Sequence, residues 1–128
     1  QKVERRGRWL HVTGPERTLI EGFRNPDYAG GLEELIVSAS GFPVLDLSLL
    51  LEILEIYAAR KLYAGVGWFL ERYQNTFHVP DRFLAGLENH CPRSPQYVLR
   101  NQREGTLFQR WNLILPEEII YIGGLDDI

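Results

Sequence analysis

The sequence has one cysteine and three histidines, and this scarcity removes several classes of site at once. Because Cys91 is alone, the chain cannot form an internal disulfide and has no C-x-x-C pair, so we expect a reducing, cytoplasmic location. The histidines, at 11, 78 and 90, are far apart, and none lies three or four residues from another histidine or from the cysteine. Local metal sites use such spacings, so no metal ligation is predicted.

Long apolar runs and methionine are also missing. No stretch of about 18 apolar residues could span a bilayer, and no signal peptide opens the chain, so no membrane partner is predicted. The chain lacks methionine and begins at Gln1, which predicts that it starts inside a longer protein. Its 128 residues fit one domain, 1–128, that can bury a hydrophobic core without a disulfide or a metal.

The familiar catalytic and nucleotide-binding motifs are absent as well. G-x-S-x-G, the P-loop and G-x-G-x-x-G do not occur, so no cofactor is predicted. Cys91 follows His90 directly, but adjacent side chains seldom face each other as a nucleophile and its base. The sequence therefore predicts a protein that is not an enzyme.

Four acids near the N-terminal end keep one alternative open, a metal-dependent nuclease or another nucleic-acid-processing domain. Carboxylates can hold Mg²⁺ beside a scissile phosphate. Restriction-type nucleases also place an acid two residues before a lysine, and neither Lys2 nor Lys61 has an acid at that spacing. Helix capping and solvation account for the acids without catalysis. The four are Glu16, Glu21, Glu33 and Glu34.

Positive charge is concentrated in two stretches of an otherwise acidic chain. Residues 1–24 carry six basic and three acidic side chains, and residues 93–112 carry four basic and one acidic. Nearly all of these cations are arginines, which can fork two hydrogen bonds onto a phosphate and stack on bases. If the two stretches meet, they would form a nucleic-acid-binding face. The arginines predicted to form it are Arg5, Arg6, Arg8, Arg100, Arg103 and Arg110.

Hydrophobic spacing and helix-end signals predict four or five helices and a last helical turn after Pro116. Thr13 and Glu16 have the spacing of a capping box for the first helix, and Asn25-Pro26 would end it. A tight connection, 28–31, leads to the second helix. Asp46 is placed to cap the third helix, which would pair with the fourth in an antiparallel hairpin. Gly65 and Gly67 in the fourth helix indicate close packing.

The remaining segments predict a small antiparallel sheet. "RWLHVT" is typical of a short strand, and "QYVLR" and "FQRWNLIL" flank the turn-like "NQREGT" as a hairpin would. If the first strand pairs with this hairpin, the two arginine stretches come together. The predicted fold is therefore a mainly helical α+β single domain with a small antiparallel sheet.

Residues 10–35, "LHVTGPERTLIEGFRNPDYAGGLEEL", resemble the C-terminal domain of AbiEi-type antitoxins. That family has a V-(S/T)-x-P-E-R-(A/T)-L-x-D element, and a segment with a G-G-x-E-E core follows. Glu21 stands where the family more often has aspartate. After about Pro92 no motif can be matched. The positions that carry the resemblance, with a tyrosine between the two elements, are Val12, Thr13, Pro15, Glu16, Arg17, Thr18, Leu19, Pro26, Tyr28, Gly30, Gly31, Glu33 and Glu34.

The resemblance implies a transcriptional regulator from a type IV, abortive-infection toxin–antitoxin operon. In such proteins an N-terminal winged helix binds the operon's own promoter DNA, and the C-terminal domain carries the antitoxin activity and supports cooperative repression. Self-association would serve that cooperativity. The toxin is a nucleotidyltransferase-like protein, and neutralisation is thought not to require a stable complex with it.

Overall fold

The computed structural model describes residues 2–5, 8–11, 14–26, 29–100 and 102–120, and these form a mainly helical α+β fold. The helices in the described ranges are α1 (Pro15–Arg24), α2 (Ala29–Ser40), α3 (Leu47–Tyr57), α4 (Arg60–Arg72), α5 (Asp81–Glu88) and α6 (Glu117–Ile120). The strands are β1 (Lys2–Arg5), β2 (Arg8–His11), β3 (Gln96–Tyr97), β4 (Thr106–Phe108) and β5 (Leu113–Leu115).

Helix α1 lies at the centre of the helical part and packs against α2, α3 and α4. Its buried face consists of Leu19, Ile20 and Phe23, whose spacing places all three on one side of the helix. The predicted end is confirmed, because the helix stops at Arg24, immediately before Asn25-Pro26. Pro15 occupies the first turn, where its missing N–H has no helical partner.

The start of α1 differs from the predicted capping box. Gly14, in an extended conformation, is the N-cap residue, and no side chain caps the helix there. The carboxylate of Glu16 turns instead to the start of α3, where it accepts the backbone N–H of Asp46 at 2.7 Å. Thr13 lies outside the described residues. Glu16 thus ties two helix starts together.

The next helix begins earlier than predicted. Gly30 and Gly31 lie in the first turn of α2 and not in a tight connection. The side chains of Leu32, Ile36 and Ala39 are buried and share one face of α2.

Helices α3 and α4 both form where predicted, but their packing was predicted wrongly. Asp46 caps α3 by accepting the backbone N–H of Leu49 at 3.1 Å, as expected. Helix α3 packs on α1, and α4 packs on both α5 and α1, whereas α3 and α4 make few close contacts with each other. Ala58, which follows α3, has a positive φ of 52°, and this left-handed residue ends the helix. The small residue Gly65 lets α4 approach the ring of Phe23 on α1.

The sheet prediction was also wrong in its pairing. Strands β1 and β2 pair antiparallel with each other, with Arg5 opposite Arg8, and within the described ranges neither joins the late strands. The late strands form a separate mixed sheet in the order β3-β5-β4, where β3 runs parallel to β5 and β4 antiparallel to it. The hairpin turn is therefore 109–112, whereas 102–105 of the predicted turn lie in the connection from β3 to β4 and Thr106 begins β4.

The mixed sheet packs on α4 through Trp111, which is fully buried in the β4–β5 turn. The indole N–H donates to the Glu71 carboxylate at 2.8 Å. Gly67 faces the indole ring so closely that a Cβ atom there would lie 2.3 Å from Cζ3. The predicted close packing at Gly65 and Gly67 is thus confirmed, with an aromatic ring against each glycine.

Candidate nucleic-acid interface

The six arginines predicted to form one basic face do not come together in the expected way. Among the described strands, β1 pairs with β2 and the late strands pair with one another, so the sheet expected to join the two arginine stretches is not found there. Arg5 and Arg8 occupy opposite positions in that two-stranded sheet, and Arg6 lies outside the described residues.

Arg110 forms ion pairs with two carboxylates. Its guanidinium bonds Glu71 at 2.8 Å and Glu88 at 2.9 Å, and it lies 5.0 Å from the centre of the Trp111 ring. These contacts join the last turn of α4, the end of α5 and the β4–β5 turn. A cation held by two acids offers little net charge to a phosphate, so these contacts favour a structural role for Arg110, and its contact with DNA stays a prediction.

Arg100 and Arg103 are both exposed but belong to different surroundings. The charge of Arg100 acts on Lys61 in the first turn of α4, whereas Arg110 bonds Glu71 in the last turn. About ten helical residues separate these two points, or about 15 Å. Arg103 borders a cavity that it shares with the acids Glu104, Glu117 and Glu118. The three late arginines are therefore spread over separate parts of the surface.

The four acids of the nuclease alternative are also engaged separately. Glu16 is buried and accepts the Asp46 amide. Glu21 accepts the Tyr57 hydroxyl and lies near Arg17 (3.7 Å) and Arg24 (3.5 Å). Glu33 and Glu34 are exposed on α2. Over the part of the chain that the structure describes, no three His, Cys, Asp or Glu side chains are grouped as a metal site would require.

The motif that carries the family resemblance is built into the packing of α1 and α2. Leu19 is fully buried, and Arg17 lies beside Glu21 one turn later. Gly30, Gly31 and Glu33 open α2, with Glu33 exposed. Thr13 and Tyr28 lie outside the described residues. Half of the described motif residues, at positions 15–19, therefore form the start of α1, and most of the others lie at the start of α2.

The sequence did not predict a group of cations that lies near the α3–α4 connection. Lys61 is half-buried there, and burial and then the charge of Arg100 lower its pKa. Arg24, from the end of α1, lies with its guanidinium 4.9 Å from the centre of the Tyr57 ring. A signal was present in the sequence, since the consecutive cations Arg60 and Lys61 open a helix, where carboxylates are favoured.

Cys91 is placed to be chemically inert, and its reaction rate provides a test. The thiol is buried and donates a hydrogen bond to the Leu87 carbonyl. The ring of the neighbouring His90 packs against the ring of Tyr63, with 4.8 Å between the ring centres. Burial, and to a lesser extent the charge of Glu88, raise the pKa of the Cys91 thiol to about 11. Near pH 8 this leaves about one thiol in a thousand ionised, against about one in four at an ordinary pKa of about 8.5.

We therefore expect a disulfide reagent such as dithionitrobenzoate to react with native Cys91 at least about 100-fold more slowly than with the urea-unfolded chain. The absorbance of the released thiolate measures both rates. Equal rates in the two states would contradict the burial and the raised pKa.

No helix in the described ranges is both long enough and apolar enough to cross a membrane. No family model, curated protein or solved structure was found to match this chain.

Proposed function

We propose that this chain is the antitoxin and promoter-repressing domain of a type IV toxin–antitoxin system, similar to the C-terminal domain of AbiEi-type antitoxins. The observation that carries the proposal is the place of the resembling motif in the fold. Its residues build α1, the helix on which α2, α3 and α4 pack. A chain that shares these residues is expected to share this packing, and we extend the resemblance from the motif to the domain on that ground.

In this proposal the domain has no catalytic step. Promoter DNA is held mainly by a winged helix N-terminal to this domain in the longer protein, and self-association of this domain supports cooperative repression. The nucleotidyltransferase-like toxin is a functional partner without a stable complex. The nuclease alternative has less support, because Glu16 and Glu21 are each engaged by other groups of the fold and Glu33 and Glu34 face solvent.

Growth rescue tests the proposal. The full-length protein, expressed with the nucleotidyltransferase-like protein expected from the neighbouring gene, should restore colony formation that the toxin alone abolishes. Leu19→Asp should remove the rescue, because a charge would be buried at the centre of the helical core. Glu34→Gln is the matched control, since Glu34 is exposed, and it should rescue as well as the natural sequence.

Two results would count against the proposal. If the natural full-length protein is expressed, as an immunoblot would show, and still does not rescue growth, the proposed antitoxin activity is contradicted. Loss of rescue in Glu34→Gln, together with Mg²⁺-dependent cleavage of DNA or RNA by the natural protein, would favour the nuclease alternative.

A further inference from the structure

A cavity of about 270 Å³ lies between the end of α1 and the connection from α3 to α4. Its apolar wall includes Phe23, Pro26 and Leu62, and the polar side chains at its edge include Arg24 and Lys61. This volume is slightly below the range of roughly 300–1,000 Å³ that is typical of small-molecule sites. The combination of an apolar wall and cations suits a small ligand with both an apolar and an anionic part.

Lys61 is the least compensated charge at this cavity. The side chain is half-buried, and no carboxylate in the described part of the chain lies within 4.0 Å of its ammonium group. Arg100 adds a second positive charge close enough to disfavour the ammonium. Its position in the first turn of α4 adds the unfavourable end of the helix dipole. An anion at the cavity would relieve all three of these effects.

Arg24 supplies a second cation with unused hydrogen-bonding capacity. Its guanidinium is 3.5 Å from Glu21, and the side chain is 51% exposed. A guanidinium has five N–H donors in a planar fork, of which a single carboxylate can accept only some. The Tyr57 ring beneath it, 4.9 Å away, holds the group at the cavity edge.

One arginine of each arginine-rich stretch lies near Lys61: Arg24, which was not among the six predicted arginines, and Arg100, which was. Arg24 belongs to the first stretch and Arg100 to the second. Lys61 on α4 lines the cavity together with Arg24, and the charge of Arg100 acts on its ammonium group. The described residues that line the cavity carry two positive charges, at Arg24 and Lys61, and no carboxylate. Arg24 lies 3.5 Å from Glu21, so Lys61 is the cation that is less compensated.

We propose that this cavity binds one nucleotide unit, with its phosphate at Lys61 and Arg24 and its base or sugar against the apolar wall. Phosphate is favoured over a carboxylate because it presents more acceptor oxygens and more charge to two cations, one of them a guanidinium fork. The unit is either a free nucleotide or part of a nucleic acid, and the phosphate chemistry is the same. The site does not depend on the antitoxin activity.

Calorimetric titration of the full-length protein with ADP tests the site directly. The natural protein is expected to bind ADP, and Lys61→Gln should weaken binding by about tenfold or more, as expected for loss of a hydrogen bond to a charged group. Lys61→Arg should retain most of the affinity. Arg93→Gln is the matched control, because Arg93 is exposed and lies outside the cavity lining, and it should bind ADP normally.

Promoter binding at several salt concentrations distinguishes the two sources of phosphate. If the unit belongs to DNA, Lys61→Gln should flatten the slope of log affinity against log salt by roughly 0.9, the effect of one lost phosphate contact. If it is a free nucleotide, the variant should lose ADP binding and keep the promoter slope. Either result supports the site.

Thermal melting separates a binding role from a structural one. ADP should raise the melting temperature of the natural protein and not that of Lys61→Gln, since a ligand stabilises only the state that binds it. Without ligand, Lys61→Gln should melt no lower than the natural protein, because a poorly solvated cation is removed. If this variant fails to fold, Arg24→Gln replaces it, because Arg24 lines the cavity and its side chain is 51% exposed.

The proposal is overturned if the natural protein does not bind ADP and the folded variant keeps the natural promoter affinity and salt slope. It is also overturned if ADP binds the folded variant and the natural protein equally well.

Discussion

Replacing Trp111 by alanine is expected to lower the free energy of unfolding by about 3–5 kcal/mol, the range for large aromatic truncations in cores. Trp111 is fully buried and fills the space between the β4–β5 turn and α4. Its truncation leaves a cavity and removes the indole donor of the Glu71 carboxylate. Since domains of this size have a stability of about 5–15 kcal/mol, the loss is a large part of the total.

Urea unfolding followed by circular dichroism measures this loss. Leu107→Ala is the matched control in the same sheet, because Leu107 is 39% exposed and its truncation should cost below about 1 kcal/mol. Trp111→Phe should lie between the two, since it keeps an aromatic ring but loses the N–H donor. Equal losses for Trp111→Ala and Leu107→Ala would show that the sheet is not held to α4 by the indole.

Gly67→Ala is expected to destabilise the protein by about 1–3 kcal/mol, as overpacking of a core does. The result would be opposite to helix propensity, which favours alanine over glycine by about 1 kcal/mol in a helix interior. The reason is steric, because the new methyl group would lie 2.3, 2.6 and 2.7 Å from three ring carbons of Trp111. The ring is fully buried and has little room to move away.

Gly86→Ala is the control for this prediction. Gly86 is also inside a helix, α5, but a Cβ atom there would meet nothing within 4 Å. Alanine at this position should stabilise the protein by about 0.5–1 kcal/mol. Thermal or urea unfolding of the two variants should therefore shift in opposite directions, and a shift in the same direction would contradict the close contact between Gly67 and the indole.

The two large predictions are coupled, and a double-mutant cycle measures the coupling. A phenylalanine at 111 has a smaller ring than the indole, so Gly67→Ala should cost less in the Trp111→Phe background than in the natural protein. Additive effects would place the cost of Gly67→Ala elsewhere than at this ring.

The sequence predicted most of the helical segments because their signals are local. The apolar spacing of Leu19, Ile20 and Phe23 and the Asn25-Pro26 stop define α1, and Asp46 marks the start of α3. Each depends on residues within one or two turns, where the chain itself fixes the distances. The mainly helical α+β class followed from these segments.

The sheet pairing and the site could not be predicted in the same way. Whether "QYVLR" pairs with β4 or β5 depends on which strand the core brings beside it, and in the structure β5 lies between β3 and β4. Arg100 and Arg110 are close in sequence, yet one acts on Lys61 at the start of α4 and the other bonds Glu71 at its end. The prediction that six arginines form one face depended on a strand pairing that local sequence patterns cannot establish.

The sequence by itself thus determined the helices, several of their ends and the two arginine-rich stretches, since these depend on neighbours along the chain. Tertiary structure alone decided which surfaces meet. Glu16, predicted to cap its own helix, accepts the backbone N–H of Asp46. Lys61 lies beside Arg24 at the cavity and within reach of the charge of Arg100. The physical reason is that long-range contacts are set by burial of the shared core, to which residues far apart in the sequence contribute together.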